Sequence, residues 1–271
     1  MTEPTANPRI GFAGIGLMGH GMARNIVEKG YDLTVIAHRN RAPLDDLITR
    51  GATEAATPAD LAAASDIVDC STNEPTVTER LSQEMARIGV HYADAPVSRT
   101  PKEAWAGTLD CMVGATPQVF ARIQPVISTW AAKIVHIGGV GDGHRMKLLN
   151  NFLALGYGAL YSEALAMAAK VGISTANFDS VIRGGGMDCG FYQTFMAYPL
   201  EGNREALRFT LTNAFKDMRY VEAMANAAGV ASPLSSAIKN SYALALGMGG
   251  TGSEDYAPHL ADFIRRANGV D

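Results

Sequence analysis

The chain predicts an α/β protein: a doubly wound, mostly parallel sheet in its first half, followed by an all-helical second half. Three observations predict it. Short strand runs alternate with helical runs up to about residue 137. A strand-like Arg9–Ala13 runs straight into Gly14-Ile15-Gly16-Leu17-Met18-Gly19 and a helix-forming stretch. After Gly138-Gly139-Val140-Gly141-Asp142-Gly143 few strand runs remain, and long apolar-periodic helices take over.

Each element follows from local pattern. Arg9–Ala13 is a strand and Leu17–Lys29 a helix stopped by Gly30. Asp32–Ala37 is β-branched and apolar, hence a strand. Arg41–Arg50 is a helix ended by Gly51, Thr53–Ala55 a short strand, and Pro58–Ala64 a short helix with Thr57 as N-cap. Strands are expected at Asp66–Cys70, Val90–Asp94, Leu109–Val113 and Lys133–Ile137, with helices over Glu74–Ile88 and Pro117–Trp130. The second half predicts one helix over 144–171, then helices at Ser174–Arg183, about Leu211–Ala228, Ser232–Leu246 and Ala257–Asn268. The Gly-rich stretch divides the chain into 1–141 and 142–271.

The glycine loop carries the first functional expectation. Gly14 turns the chain off the strand, Gly16 leaves room for a pyrophosphate, and Gly19 lets the helix approach the sheet. A helix N-terminus then offers unpaired N–H groups to phosphates. The fold is therefore of Rossmann type, and 1–141 is the dinucleotide-binding domain. Gly14, Ile15, Gly16, Leu17, Met18 and Gly19 are its expected cofactor contacts. At the end of the second strand NAD-binding folds place a carboxylate; here the chain reads His38-Arg39-Asn40-Arg41, with no acid before Asp45. Cations there suit a 2′-phosphate, so NADP is preferred over NAD, with His38, Arg39 and Asn40 at that corner; the other reading of Arg39 and Arg41 is solvated charges at a helix start.

Bulk properties exclude several classes. With 47% hydrophobic and 18% charged residues the chain is globular, not disordered. A net charge of −4 without a long basic run argues against nucleic-acid or anionic-membrane partners. Three widely spaced cysteines, Cys70, Cys111 and Cys189, fit reduced core thiols in a cytoplasm. The most apolar stretch, Leu148–Val171, holds Asn150, Asn151, Glu163 and Lys170, which favours a buried helix over a membrane span. That helix is too apolar for one small domain to cover, so a homodimer or homotetramer is expected.

Two constellations carry chemistry. Lys147 and Asn151 lie four apart, on one face of the long helix. A lysine there can give a proton to a carbonyl oxygen as hydride reaches its carbon, with Asn151 bonding the same oxygen. Spacing alone equally fits a solvated face, but the flanking residues are apolar, and Asn150-Asn151 is costly in such a run unless something bonds it. Asp94-Ala95-Pro96-Val97-Ser98-Arg99-Thr100 follows a strand end, where open α/β sheets bind ligands. Ser98, Arg99 and Thr100 suit an anionic head group on a small substrate, or form an ordinary surface loop. Lys216-Asp217 reads locally as a surface pair.

Together these pieces resemble the β-hydroxyacid dehydrogenase family over nearly the whole chain. The glycine loop with Met22-Ala23 and Asn25 is similar to the family's cofactor motif; Asp94–Ser98 with Gly107-Thr108-Leu109, to its substrate motif; Gly141-x-Gly143-x-x-x-Lys147-x-x-Asn150-Asn151, to its catalytic motif; and Phe215-Lys216-Asp217, to its C-terminal motif. The resemblance implies an NAD(P)-dependent dehydrogenase or aldehyde reductase acting on a small β-hydroxy acid, with Lys147 as proton donor and acceptor. It implies Asn150, Asn151 and Ser98 on the substrate, Thr72 on the nicotinamide side, and Phe209, Lys216 and Asp217 approaching the cofactor. The lysine separates the chain from the related imine reductases. No Tyr-x-x-x-Lys occurs, which disfavours a short-chain dehydrogenase. The alternative is a non-catalytic dinucleotide-binding interaction module.

Two departures stand out. Arg99-Thr100 replaces the family's two glycines after the motif serine, as in its sulfolactaldehyde reductases, where such a pair faces a sulfonate. A sulfonate, a carboxylate or another acid group is therefore expected on the substrate. Ser65-Asp66-Ile67-Val68 also runs straight into Asp69-Cys70-Ser71-Thr72, where relatives insert a strand–loop–helix unit of about 30 residues. Either a chain of this length lacks one sheet strand and leaves one wall of the cofactor cleft open, or the sequence omits a segment there; the residues fit both.

Overall fold

A computed structural model describes residues 8–36, 40–61 and 66–270, apart from the Ala59 side chain. Two compact units divide the chain at 147/148.

The first unit alternates strand and helix as the sequence predicts: β1 (Ile10–Phe12), α1 (Gly19–Glu28), β2 (Leu33–Ile36), α2 (Ala42–Thr49), β3 (Thr53–Ala55), α3 (Pro58–Leu61), β4 (Asp66–Asp69), α4 (Pro75–Ala86), β5 (His91–Asp94), β6 (Val97–Ser98), α5 (Pro101–Ala106), β7 (Leu109–Gly114), α6 (Pro117–Ile127), β8 (Ala131–Gly138) and the start of α7 (Asp142–Lys170). Leu33, Val35, Ala93, Leu109, Cys111 and Val113 fill its core from the strands; Met22, Ala23 and Ile26 of α1 close over them. Thr57 caps α3 as expected: its N–H and hydroxyl both donate to the Asp60 carboxylate.

Two elements were not expected, β6 and α5. They explain part of the cofactor motif. Gly21 packs α1 onto α5, since a Cβ there would lie 2.7 Å from the Ala104 backbone. Asn25 then donates to the Ala104 carbonyl at 2.9 Å. Asn25 is a tie between two helices.

The sheet is broken. β1, β2 and β3 form a three-stranded parallel sheet with β1 at one end. β4, β5, β7 and β6 form a second sheet, with β4 at one end and β8 added beside β7. β4–β5 and β7–β8 are parallel, while β5–β7 and β6–β7 are antiparallel, so four of the six described pairings are parallel and the sheet is mostly parallel as expected. A doubly wound sheet runs in the order 3-2-1-4-5-6. Here 3-2-1 is present, and no ladder joins β1 to β4 among the described residues. The break falls where the skipped strand would lie.

The second unit is helical: the rest of α7, α8 (Thr175–Ile182), α9 (Gly190–Glu201), α10 (Leu211–Ala227), α11 (Pro233–Gly247) and α12 (Leu260–Ala267). The expected helix over Ala257–Asn268 starts as a 3-10 turn at Ala257–His259, and α9 was not expected. Leu155, Ala159, Leu211, Met218, Tyr242, Leu260 and Phe263 form the main core. Helices α7 and α11 touch closely at glycine: a Cβ on Gly158 would meet the Tyr242 hydroxyl at 3.0 Å. By length and composition α7 could cross a bilayer. Its Ser162 is fully buried and donates to the Gly158 carbonyl at 2.8 Å. Cys70, Cys111 and Cys189 are all free thiols. Cys189 corrects the core-thiol expectation: it is exposed and caps α9, accepting the Tyr192 N–H.

Candidate active site

The glycine loop has the shape a pyrophosphate requires. Gly14 sits at φ +94°, a left-handed conformation that disfavours side chains. Gly19 cannot carry a Cβ, which would lie 2.0 Å from the Gly14 carbonyl oxygen. A Cβ on Gly16 would meet nothing within 4 Å, so the space beside it is open. Met18 precedes α1 without a side-chain cap. An uncapped N-terminus leaves N–H groups and the positive end of the dipole for an anion. Ile15 is buried in the core and anchors the loop, while Leu17 is exposed. These residues fit a bound dinucleotide.

The second-strand corner is described only in part. His38 and Arg39 lie outside the described residues. The Asn40 carboxamide accepts the Ala42 N–H at 3.1 Å and serves the start of α2. Arg41 forms two 3.0 Å bonds to the Glu54 carboxylate on β3, so it is held in a surface pair.

The strand-end loop places the expected substrate residues at three different tasks. Ser98 on β6 lies 3.5 Å from Lys147 Nζ. Lys147 is only 8% exposed. Arg99 is the one non-glycine residue with positive φ, +88°, among the described residues. A side chain there costs about 1–2 kcal/mol. It occupies the position where the family has glycine, and keeps glycine's conformation. Its guanidinium pairs with Asp110 on β7 at 3.1 Å and stays half exposed. Thr100 is occupied: its N–H and hydroxyl both donate to Glu103 in the capping box of α5. Thr72 is half-buried in the loop after β4.

Beneath this loop lies a network with no local sequence signal. Asp94 is fully buried, and its carboxylate accepts the Gly141 N–H at 2.6 Å and the His144 N–H at 2.7 Å. Burial pushes the Asp94 carboxyl up, and those two backbone bonds oppose the rise. His144 is fully buried as well. Its Nε2 donates to the Ser71 carbonyl at 3.1 Å, and its Nδ1 is hydrogen-bonded to the Thr78 hydroxyl at 2.7 Å.

In the helical unit, Asn151 Nδ2 donates to Asp217 Oδ2 at 2.7 Å. This bond satisfies the buried amide that the apolar run made costly. Asp217 is 1% exposed, which overturns its local reading as a surface charge. Lys216 pairs with it at 3.1 Å and lies over the Tyr220 ring. Asn150 donates weakly to Asn151 at 3.5 Å. Phe209 is half-buried against the helical core, and its carbonyl accepts the Ala257 N–H.

Known proteins match this arrangement. The family described as the NAD binding domain of 6-phosphogluconate dehydrogenase matches residues 9–68 and 64–138. The family described as NAD-binding of NADP-dependent 3-hydroxyisobutyrate dehydrogenase matches 141–260. The chain is 34% identical over 206 residues to the 2-(hydroxymethyl)glutarate dehydrogenase of Eubacterium barkeri, covering 64% of this chain and 68% of that protein. It is 27% identical over 282 residues to the 3-sulfolactaldehyde reductase of Escherichia coli K12, covering 93% and 94%. That alignment is about 30 positions longer than the stretch of this chain it covers, and the first family match breaks and restarts at 64–68, in line with the skipped unit. A Mycobacterium tuberculosis 3-hydroxyisobutyrate dehydrogenase structure shares the fold, with a TM-score of 0.84 at 23% identity over 96% of this chain and 99% of that one. The chain belongs to the β-hydroxyacid dehydrogenase family of NAD(P)-dependent oxidoreductases.

Proposed function

We propose that the chain interconverts a small β-hydroxy acid or hydroxy-sulfonate and its aldehyde or ketone, with Lys147 as general acid and base. The observation that carries this is the buried Lys147 ammonium set 3.5 Å from the Ser98 hydroxyl. A bound nicotinamide supplies or takes the hydride. In reduction Lys147 Nζ gives a proton to the forming alkoxide; in oxidation it takes the proton from the alcohol. Ser98 donates to the substrate and holds Lys147 in place. Asn151, one turn further along the same helix, orients the reacting oxygen and is itself held by Asp217. Arg99, half exposed and fixed by Asp110, meets the acid group. The Arg99-Thr100 pair and the sulfolactaldehyde reductase relative support an acid group that includes sulfonate. Thr100 contributes by shaping the turn that presents Arg99.

Gly14–Gly19 cradle the pyrophosphate, Thr72 lies toward the nicotinamide, and Phe209, Lys216 and Asp217 approach the cofactor. NADP is the preferred form, on the basic His38-Arg39 corner and on the NADP-dependent family that matches 141–260. Isothermal titration is expected to show NADPH binding on the order of tenfold more tightly than NADH. Equal affinity removes the 2′-phosphate assignment. Oxidation of NADPH is then followed with small aldehydes carrying a carboxylate or a sulfonate. Dinucleotide binding with no turnover across that panel leaves a binding module instead of an enzyme.

The protein acts in the cytoplasm as a homodimer or homotetramer, with α7 a covered helix and neither membrane nor nucleic acid as partner. Leu149, Leu153, Leu160 and Met167 form an exposed apolar stripe on α7. The stripe borders a groove of about 500 Å³ lined by Glu163, Ala166, Lys170 and Leu244. A second copy covering it removes this surface from water. Sedimentation is expected to give at least a dimer, and Leu160→Glu with Met167→Glu to shift it toward monomer at unchanged circular dichroism. A monomeric parent overturns the assembly.

A further inference from the structure

Three stretches meet at one buried pair. Asp94 closes β5 and opens the stretch that carries Ser98. Its carboxylate takes the N–H of Gly141, the residue just before α7, and the N–H of His144 in the first turn of α7, groups that a helix start leaves without an internal partner. The space around it is closed. A Cβ on Gly114 would lie 2.5 Å from one carboxylate oxygen, and a Cβ on Gly143 2.8 Å from the other. His144 extends the joint sideways, with Nε2 on the Ser71 carbonyl beside Thr72 and Nδ1 on Thr78 of α4. Lys147 follows three residues later, about 4.5 Å along the helix axis.

We propose that Asp94 and His144 are positioning residues for Lys147. They fix the first turn of α7 against the strand end that carries Ser98 and the loop that carries Thr72. The inference rests on the assignment of Lys147 as the acid–base group. Two acceptor oxygens, one bonded to Gly141 at the entry to α7 and one to His144 in its first turn, set both the height and the rotation of that turn, and the imidazole fixes it against a third segment. The 3.5 Å separation of Lys147 and Ser98 follows from that registration. Neither residue touches the substrate.

Asp94→Asn tests it. The amide nitrogen cannot accept, so one of the two N–H groups loses its partner and faces a donor. Turnover is expected to fall about tenfold to a hundredfold, the effect of misplacing a catalytic group by a fraction of its reach. Dinucleotide affinity stays within about twofold of the parent, and amide hydrogen exchange speeds up over 141–147. His144→Phe is expected to lower kcat likewise, whereas His144→Gln, whose amide nitrogen can reach the Ser71 carbonyl, recovers most of it. The His144 pair carries the test if Asp94→Asn does not fold. Parent-like exchange over 141–147 or a parent-like kcat in Asp94→Asn overturns the positioning role, as does equal loss in the Phe and Gln variants. Lys147→Ala is measured beside them: full turnover there overturns the acid–base assignment, while the exchange data still judge the pair.

Discussion

Lys147→Ala is expected to lower turnover about 10²- to 10⁴-fold, the usual span for loss of a positioned proton donor. Dinucleotide affinity is expected to hold, because the glycine loop lies on the β1–α1 turn and Lys147 on α7. Lys147→Arg sharpens the test. It keeps a positive charge near Ser98, but a guanidinium does not give up its proton in the working pH range. If charge alone mattered, arginine would restore the rate; if proton transfer matters, it stays near the alanine level. Steady-state kcat with saturating cofactor separates the two. Turnover within a fewfold of the parent in both variants removes Lys147 from the chemistry.

The second large effect concerns two glycines only three residues apart. Gly19→Ala is expected to damage folding: its Cβ would lie 2.0 Å from the Gly14 carbonyl, and backbone must move. Forced overpacking of this kind costs about 1–3 kcal/mol. Gly16→Ala meets no protein atom within 4 Å and should melt with the parent. Its methyl group occupies the space reserved for pyrophosphate, so affinity for dinucleotide should drop on the order of tenfold, about 1.4 kcal/mol. Thermal melts and titration together decide. A parent-like affinity in Gly16→Ala means the phosphate does not lie where the loop places it.

Much of this was legible from sequence because it is local. Gly14, Gly16 and Gly19 each do a job that one residue's conformation or volume defines, and the alternation of strand and helix follows from short-range periodicity. The junction at Val68-Asp69 was legible too: it joins two motifs that relatives hold apart, and the first family match breaks and restarts at 64–68. Helix α5 carries its own signal, Thr100-Pro101 with Glu103 and then Gly107, inside a stretch whose hydroxyls and cation point equally to ligand chemistry. Helix α9 was hidden by Pro199 and by a flanking run of glycines, although Tyr192, Phe195 and Met196 keep helical spacing. The network under the site was not legible. Asp94 meets partners 47 and 50 residues away, and nothing near it announces a buried carboxylate. Asp217 is similar: a Lys-Asp dipeptide looks solvated until Asn151, 66 residues earlier, is seen to donate to it. Arg41 fits the reading as a charge at a helix start: its guanidinium is taken up by Glu54 on the neighbouring strand.

The broken sheet has a consequence for cooperativity. The glycine loop hangs from β1 in the three-stranded ladder; Asp94, Ser98 and the start of α7 belong to the five-stranded one. No ladder bond is shared between the two among the described residues. Opening the smaller ladder therefore breaks no ladder hydrogen bond of the larger; what joins them is side-chain packing in one core and the Asn25 tie between α1 and α5. A dinucleotide that bridges them would act as a mortar, protecting both sets of amides at once across a seam that no ladder bond spans among the described residues.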